Sequence, residues 1–211
     1  FRAVQQDEGE MYLCPLYGRR PGEVDVTVIS NVLLTVDVRL DPATAHQHLI
    51  LSDDGKEVID GEEDQRVPDS PERFDVFGSV LGLNRLTSGK SYWEVEVRNK
   101  TGWDLGVARG DANRKSKLTL TPDNGYWVTV HYDDEKYAAL TSPPVLLSLT
   151  GKPQKVGVFV DYEEGLVLLP CAVPKNSCVC RGKDFESSSF IILAQAGLEL
   201  VNLRDLNFVN L

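Results

Sequence analysis

Cysteine, histidine and methionine are scarce, at four, three and one residues in 211. The cysteines are Cys14, Cys171, Cys178 and Cys180, so residues 15 to 170 contain no thiol. A secreted disulfide scaffold would spread its cysteines through the fold. This usage instead fits reduced thiols in a cytosolic domain, and a cytoplasmic location is expected. No CxxC pair occurs, and His46, His48 and His131 lie far from the cysteines in sequence. That argues against a zinc site, and no metal or other cofactor is expected. Uninterrupted apolar runs of about 18 residues are missing too, so no membrane span is expected in this chain. There is no basic-then-apolar leader and the chain starts at Phe1, which reads as a fragment or a processed chain. Basic residues are outnumbered, with 22 Lys and Arg against 32 Asp and Glu for a net charge of −10. Nucleic-acid binding depends on cationic side chains that neutralise phosphates, so no nucleic-acid partner is expected. The motifs GxxxxGK(S/T), GxGxxG, HExxH and GxSxG are all absent, and no enzyme activity is expected.

What is present is ordinary for a globular domain: 42% apolar and 26% charged residues. The length suits one domain with extensions, or two small ones. The negative charge is concentrated. From Asp53 to Asp75 there are ten acids and three bases. Such a stretch is either a solvated loop face or an acidic rim that selects basic partners.

Alternation of period two dominates the middle of the chain. It runs through Val36, Val38 and Leu40, then Trp93, Val95 and Val97, then Trp103, Leu105 and Val107. It continues in Leu118 and Leu120, in Tyr126, Val128, Val130 and Tyr132, in Val145, Leu147 and Leu149, and in Val156, Val158 and Val160. That period places one strand face in a core and the other in water. Turn formers sit between the runs, notably Asp53-Asp54-Gly55 and Pro122-Asp123-Asn124-Gly125. Together they predict an all-β fold, a sandwich of two antiparallel sheets, with Trp93, Val95, Trp103, Leu105 and Val158 buried. The adjacent carboxylates Glu163 and Glu164 would point to opposite faces of a strand, which is wrong for acid–base catalysis across one substrate. The run Phe190 to Leu200 shows neither clean alternation nor a helical stripe, and both a short helix and strands remain open for it.

From about Val36 to Leu166 the sequence resembles a PRY–SPRY domain. The resemblance rests on Leu40-Asp41-Pro42 with Leu49-Ile50-Leu51-Ser52, on Tyr92-Trp93-Glu94-Val95-Glu96-Val97 followed by Trp103-Asp104-Leu105-Gly106-Val107, and on Val158-Phe159-Val160-Asp161-Tyr162-Glu163-Glu164-Gly165. Pro71-Glu72-Arg73-Phe74 and Asn124-Gly125-Tyr126-Trp127 lie between them in family order. The sub-pattern is closest to the domains that end tripartite-motif ubiquitin ligases and butyrophilins. The resemblance implies a concanavalin-like jelly roll and a protein-recognition module, the target-binding domain of a tripartite-motif-type ligase. The alternative it implies is the intracellular domain of a butyrophilin-like receptor, binding a small anionic ligand or a cytosolic partner. Residues after the Asn-Gly-aromatic-Trp turn would meet a protein partner. Here these are Val130, His131, Tyr132, Asp133 and Asp134, with Tyr132 the one large aromatic among them. Arg114 and Lys115 join them from a neighbouring loop, and Glu62–Asp64 forms a third. Asp104, Thr119 and Ala138 match the anion-binding positions, and none is basic.

After Gly165 the family pattern is lost. Residues 1–34 then read as a linker or the remnant of a preceding domain. Within them Asp7 to Cys14 resembles the end of an immunoglobulin F strand. Residues 35–170 read as a truncated sandwich and 171–211 as a divergent tail. Missing strands would leave sheet edges and core side chains uncovered, and the tail is expected to be the least ordered part.

Overall fold

The computed structural model describes residues 34–35, 37–61, 63–97, 102–132, 136–147, 152–169, 178–181 and 189–195, with residues 34–35, 168–169, 178–181 and 189–195 described through their backbone. Among the described residues, thirteen strands make two sheets and a hairpin. Sheet one has five strands in the order β1 (Leu34–Thr35), β5 (Lys90–Glu96), β10 (Lys155–Asp161), β11 (Leu166–Leu169) and β12 (Cys178–Arg181). Sheet two has six, in the order β4 (Ser79–Leu86), β13 (Ser189–Gln195), β6 (Trp103–Arg109), β7 (Tyr126–Tyr132), β8 (Lys136–Ala139) and β9 (Val145–Leu147). The hairpin pairs β2 (Leu49–Leu51) with β3 (Val58–Asp60) through a turn at Asp53–Gly55. No α-helix occurs among the described residues.

The alternating runs explain the sheets. In β5, Ser91, Trp93 and Val95 are buried while Lys90 and Glu96 are exposed. Across from them in β10 sit Val160, Val158 and Val156, and β-branched residues facing an aromatic make favourable cross-strand pairs. Trp103, Leu105, Val107 and Trp127 from the second sheet complete one core between the layers. The five residues expected to be buried, Trp93, Val95, Trp103, Leu105 and Val158, all are.

Sheet two departs from simple amphipathicity, because its other face is covered as well. Phe74, Phe77, Leu81, Leu118 and Leu120 pack there on Ala108, Tyr126, Val128, Val130 and Ala138. Six of the seven β7 residues are consequently buried. Polar bonds hold this cover in place. Arg73 donates to the carbonyls of Pro42 (3.0 Å), Ala45 (2.5 Å) and Pro68 (2.8 Å). Ser116 N–H donates to Asp75 (2.7 Å), and the Tyr126 hydroxyl donates to the Asn113 carbonyl.

Several expectations need correction. Leu118 and Leu120 are buried but belong to the cover, not to a strand. Val38 and Leu40 are buried outside any named strand, and Leu40 makes an isolated antiparallel bridge to Gly82. The short β1 pairs parallel with β5, the exception to otherwise antiparallel pairing. Pro122–Asn124 forms one 3-10 turn, closed by Gly125 at φ 81, where a residue without Cβ is favoured.

The largest correction concerns the tail. The sandwich does not end at 170 with open edges. β12 pairs with β11, and β13 inserts between β4 and β6, with Leu193 opposite both Val80 and Leu105. A strand inside a sheet that carries apolar cover on both faces needs no polar–apolar alternation, which is why Phe190 to Gln195 gave no clear period. Residues 1–33, where the immunoglobulin-like segment was read, lie outside the described residues.

Candidate functional site

The strand register lines up one row of residues across the second sheet. Ala194 stands opposite Asp104, Asp104 opposite Val130, Val130 opposite Ala138, and Ala138 opposite Leu146. Tyr132 and Lys136 form the next facing pair along β7 and β8. By alternation this row lies on the outward face, opposite to Trp103, Leu105 and Tyr137. It runs from a buried carboxylate at Asp104, 6% exposed, to a protruding apolar residue at Leu146, 56% exposed.

Asp104 is the electrostatic feature of the row. Burial alone pushes its carboxyl up from the ordinary value of 3.8 to about 7. No donor and no cation among the described residues bonds its side chain. The other buried aspartate, Asp161, is treated differently. Its carboxylate pairs with Lys90 Nζ (2.9 Å) and accepts the Glu164 N–H (3.2 Å). The sequence contains Asp104 within the Trp-Asp-Leu-Gly motif, but its phase predicted a water-facing acid. The signal that was missing is the register, which sets Asp104 between Ala194 and the buried Val130.

The residues expected to meet a partner divide into three groups. Tyr132 is half-buried at the end of β7, with Lys136 Nζ 5.7 Å from its ring centroid. It is the expected anchor that presents surface. Val130 and His131 are buried, Val130 in the covered face and His131 stacked on Tyr137 with centroids 4.4 Å apart. Val130 belongs to the row, His131 to the opposite face with Trp103 and Tyr137. Asp133 and Asp134 lie outside the described residues, as does Glu62.

Arg114 and Lys115 serve the fold. The buried Arg114 pairs with Glu72 and donates to the Gly110 carbonyl (2.8 Å). Lys115 donates to the Ser70 carbonyl (3.0 Å). Arg109 pairs with Asp111. Arg114 and Lys115 thereby fasten the 110–117 loop to the 70–75 turn. The acidic stretch is partly consumed in the same way. Asp64 bonds His48 Nε2 (2.5 Å) and Gln47 (2.8 Å), and Glu72 is the acid that pairs with Arg114.

The described residues form a sandwich of two main sheets with apolar packing on both faces of sheet two. Residues 38–86 match the family described as the SPRY-associated domain, PRY, and residues 90–175 match the SPRY domain. The chain belongs to the PRY–SPRY family, whose domains are protein-interaction modules without catalytic function. It is 48% identical over 135 residues to butyrophilin subfamily 1 member A1 of Mus musculus, covering 64% of this chain and 26% of that protein. It is 46% identical over 132 residues to pyrin of Homo sapiens, covering 63% and 17%. It is 48% identical over 128 residues to nuclear factor 7, ovary, of Xenopus laevis, covering 61% and 21%. The chain thus spans about a quarter or less of the length of these curated relatives. Among solved structures, the TRIM65 PSpry domain superposes with a TM-score of 0.61 at 18% identity, covering 76% of this chain and 85% of that one. That likeness shows the fold. No described helix is long and apolar enough to cross a membrane.

Proposed function

We propose that this chain is the target-binding domain of a tripartite-motif-type ubiquitin ligase, acting in the cytoplasm on a protein partner. The observation that carries the reading is the end of β7, where the half-buried Tyr132 faces Lys136 across the ladder, one pair along from the row that ends at the exposed Leu146. An aromatic anchor in a largely desolvated surround is the usual composition of a binding hot spot. Ligase chemistry would belong to a RING domain elsewhere in the parent protein, and this chain would select what is modified. Butyrophilin relatives match equally well, and in that architecture the same surface would recognise a cytosolic partner. A small anionic ligand fits less well, because Asp104 would repel it and Arg109, Arg114 and Lys115 already bond within the chain.

The test is a graft. This chain replaces the C-terminal domain of a tripartite-motif ligase, and proteins newly ubiquitinated in cells are identified. A substrate gained by the graft and lost with Tyr132→Ala is the expected result. Ubiquitination that is indifferent to the graft would reject the reading.

A further inference from the structure

We propose that Ser70 is a phosphorylation site for a proline-directed protein kinase, and that the phosphate tightens the clasp between the 70–75 turn and the 110–117 loop. The inference concerns a surface turn outside the partner-binding reading and does not depend on it.

Ser70 opens a turn that the Arg73 N–H closes by donating to its carbonyl (3.1 Å). Ser70 is partly exposed, and Arg66, Val67, Pro68, Asp69, Pro71 and Glu72 around it are exposed. Residues 64–70 belong to no strand or helix, so a kinase reaches the hydroxyl without opening a ladder. A kinase cleft takes its substrate as an extended segment, and the residue before a proline is biased to extended backbone. Pro71 has no amide hydrogen, which is the feature a proline-directed kinase selects at the next position. The Ser70 hydroxyl accepts the Glu72 N–H (3.2 Å), and that bond does not use the hydroxyl proton.

The co-reactant is ATP. Ser70 Oγ attacks the γ-phosphorus and a new Oγ–P bond forms. The bond from that phosphorus to the β,γ-bridging oxygen breaks, and ADP leaves with its electron pair. The hydroxyl proton passes to a carboxylate base of the kinase.

The facing loop is built to receive the product. Lys115 Nζ donates to the Ser70 carbonyl (3.0 Å), and Arg114 pairs with Glu72, two residues along from Ser70. The Arg114 side chain is 8% exposed and that of Glu72 60%, so Glu72 can turn to water while the guanidinium stays. A phosphate dianion is a stronger partner for that guanidinium than one exposed carboxylate. Lys115 carries three donors and can hold the carbonyl and a phosphate oxygen together. Asp69 and Asp75 oppose the added charge. Asp69 is exposed and screened by salt, and Asp75 accepts the Ser116 N–H (2.7 Å). Attraction to the two cations therefore outweighs the repulsion.

The experiment incubates the full 211-residue chain with ATP and a kinase of the mitogen-activated class, and maps phosphate by mass spectrometry. Two further Ser/Thr–Pro pairs, at Thr121 and Ser142, are scored in the same spectra. Phosphate should appear at Ser70 on the folded chain, and Pro71→Ala should abolish it. Phosphorylation should raise the thermal midpoint by about 2–4 °C, the shift expected for one added charge-assisted contact in a chain of this size. Amide exchange in residues 110–117 should slow. Lys115→Ala should still be phosphorylated but show no rise, and Ser70→Ala should not respond to the kinase at all. Phosphate found only at Thr121 or Ser142, or at Ser70 only after unfolding, would overturn the assignment of the site. Unchanged or faster exchange in residues 110–117 of phosphorylated wild type, or an equal rise in Lys115→Ala, would overturn the tightened clasp.

Discussion

Gly106 lies directly against the backbone of Trp127 in the neighbouring strand. A Cβ built on it would overlap the Trp127 carbonyl oxygen and come within 2.8 Å of Val128 Cα. Both obstacles are main chain, and neither moves without opening the β6–β7 ladder. Gly106→Ala should therefore destabilise the domain by about 3 kcal/mol or more, beyond the usual cost of overpacking with one methyl group. Urea denaturation should show the midpoint falling.

Asp104→Asn should change the pH dependence of stability. The folded value of about 7 lies above the ordinary 3.8, so the folded state holds this proton more tightly than the unfolded chain. Stability from this group is present in full below about pH 4 and is lost as the pH rises through 7. The loss is on the order of 4 kcal/mol at most. The asparagine variant should match wild type near pH 4 and exceed it at pH 8. Parallel denaturation curves at both values would show that Asp104 ionises without penalty.

Tyr132→Ala should weaken partner binding by about 1–3 kcal/mol while the thermal midpoint changes little, because the ring is half-buried and sits at a strand end. Calorimetry with a partner found by the graft would measure it. Unchanged affinity in a folded variant would remove Tyr132 from the interface.

Arg73→Ala should cost about 2–4 kcal/mol, since three carbonyls that now share one guanidinium would lose their donor. Arg73→Lys should recover little of this, because an ammonium cannot reproduce the fork. A lysine variant as stable as wild type would show that charge alone suffices.

Truncation after residue 170 removes β12 and β13. Both β4 and β6 then lose a ladder partner on one side. The shortened chain should unfold at a clearly lower temperature and precipitate more readily. Amides of Leu105 and Val107 should also lose their hydrogen-exchange protection. Equal midpoints would show that β12 and β13 add nothing to the stability of the sheets they join.

Alternation was legible in β5, which has a wet face, and also in β6 and β7, which are buried on both faces but still alternate in residue type. Trp93 and Val95 alternate with Tyr92 and Glu94, and β5 is where that pattern lies. β4 was not read as a strand, because Ser79-Val80-Leu81-Gly82 is buried throughout and carries no period. Leu118 and Leu120 gave the opposite error. Their alternation arises from packing onto the cover of sheet two, with no ladder involved. The site divides along the same line. Tyr132 was visible from motif position. Asp104 was not, because its burial goes with the apolar neighbours that long-range register brings beside it, Ala194 and Val130.

The position of β13 bears on how the molecule is made. Its two partners lie far earlier in the chain, so they leave the ribosome well before it does. Until Ser189–Gln195 emerges, β4 and β6 have no neighbour at the place where they will meet it, and the nascent sheet stays divided there. Long-range pairing of this kind slows folding, and unpaired strands in the meantime invite association with other chains. Synthesis order and assembly order are therefore opposed in this domain. Its yield in a cell should depend on chaperones that shield β4 and β6 while translation finishes.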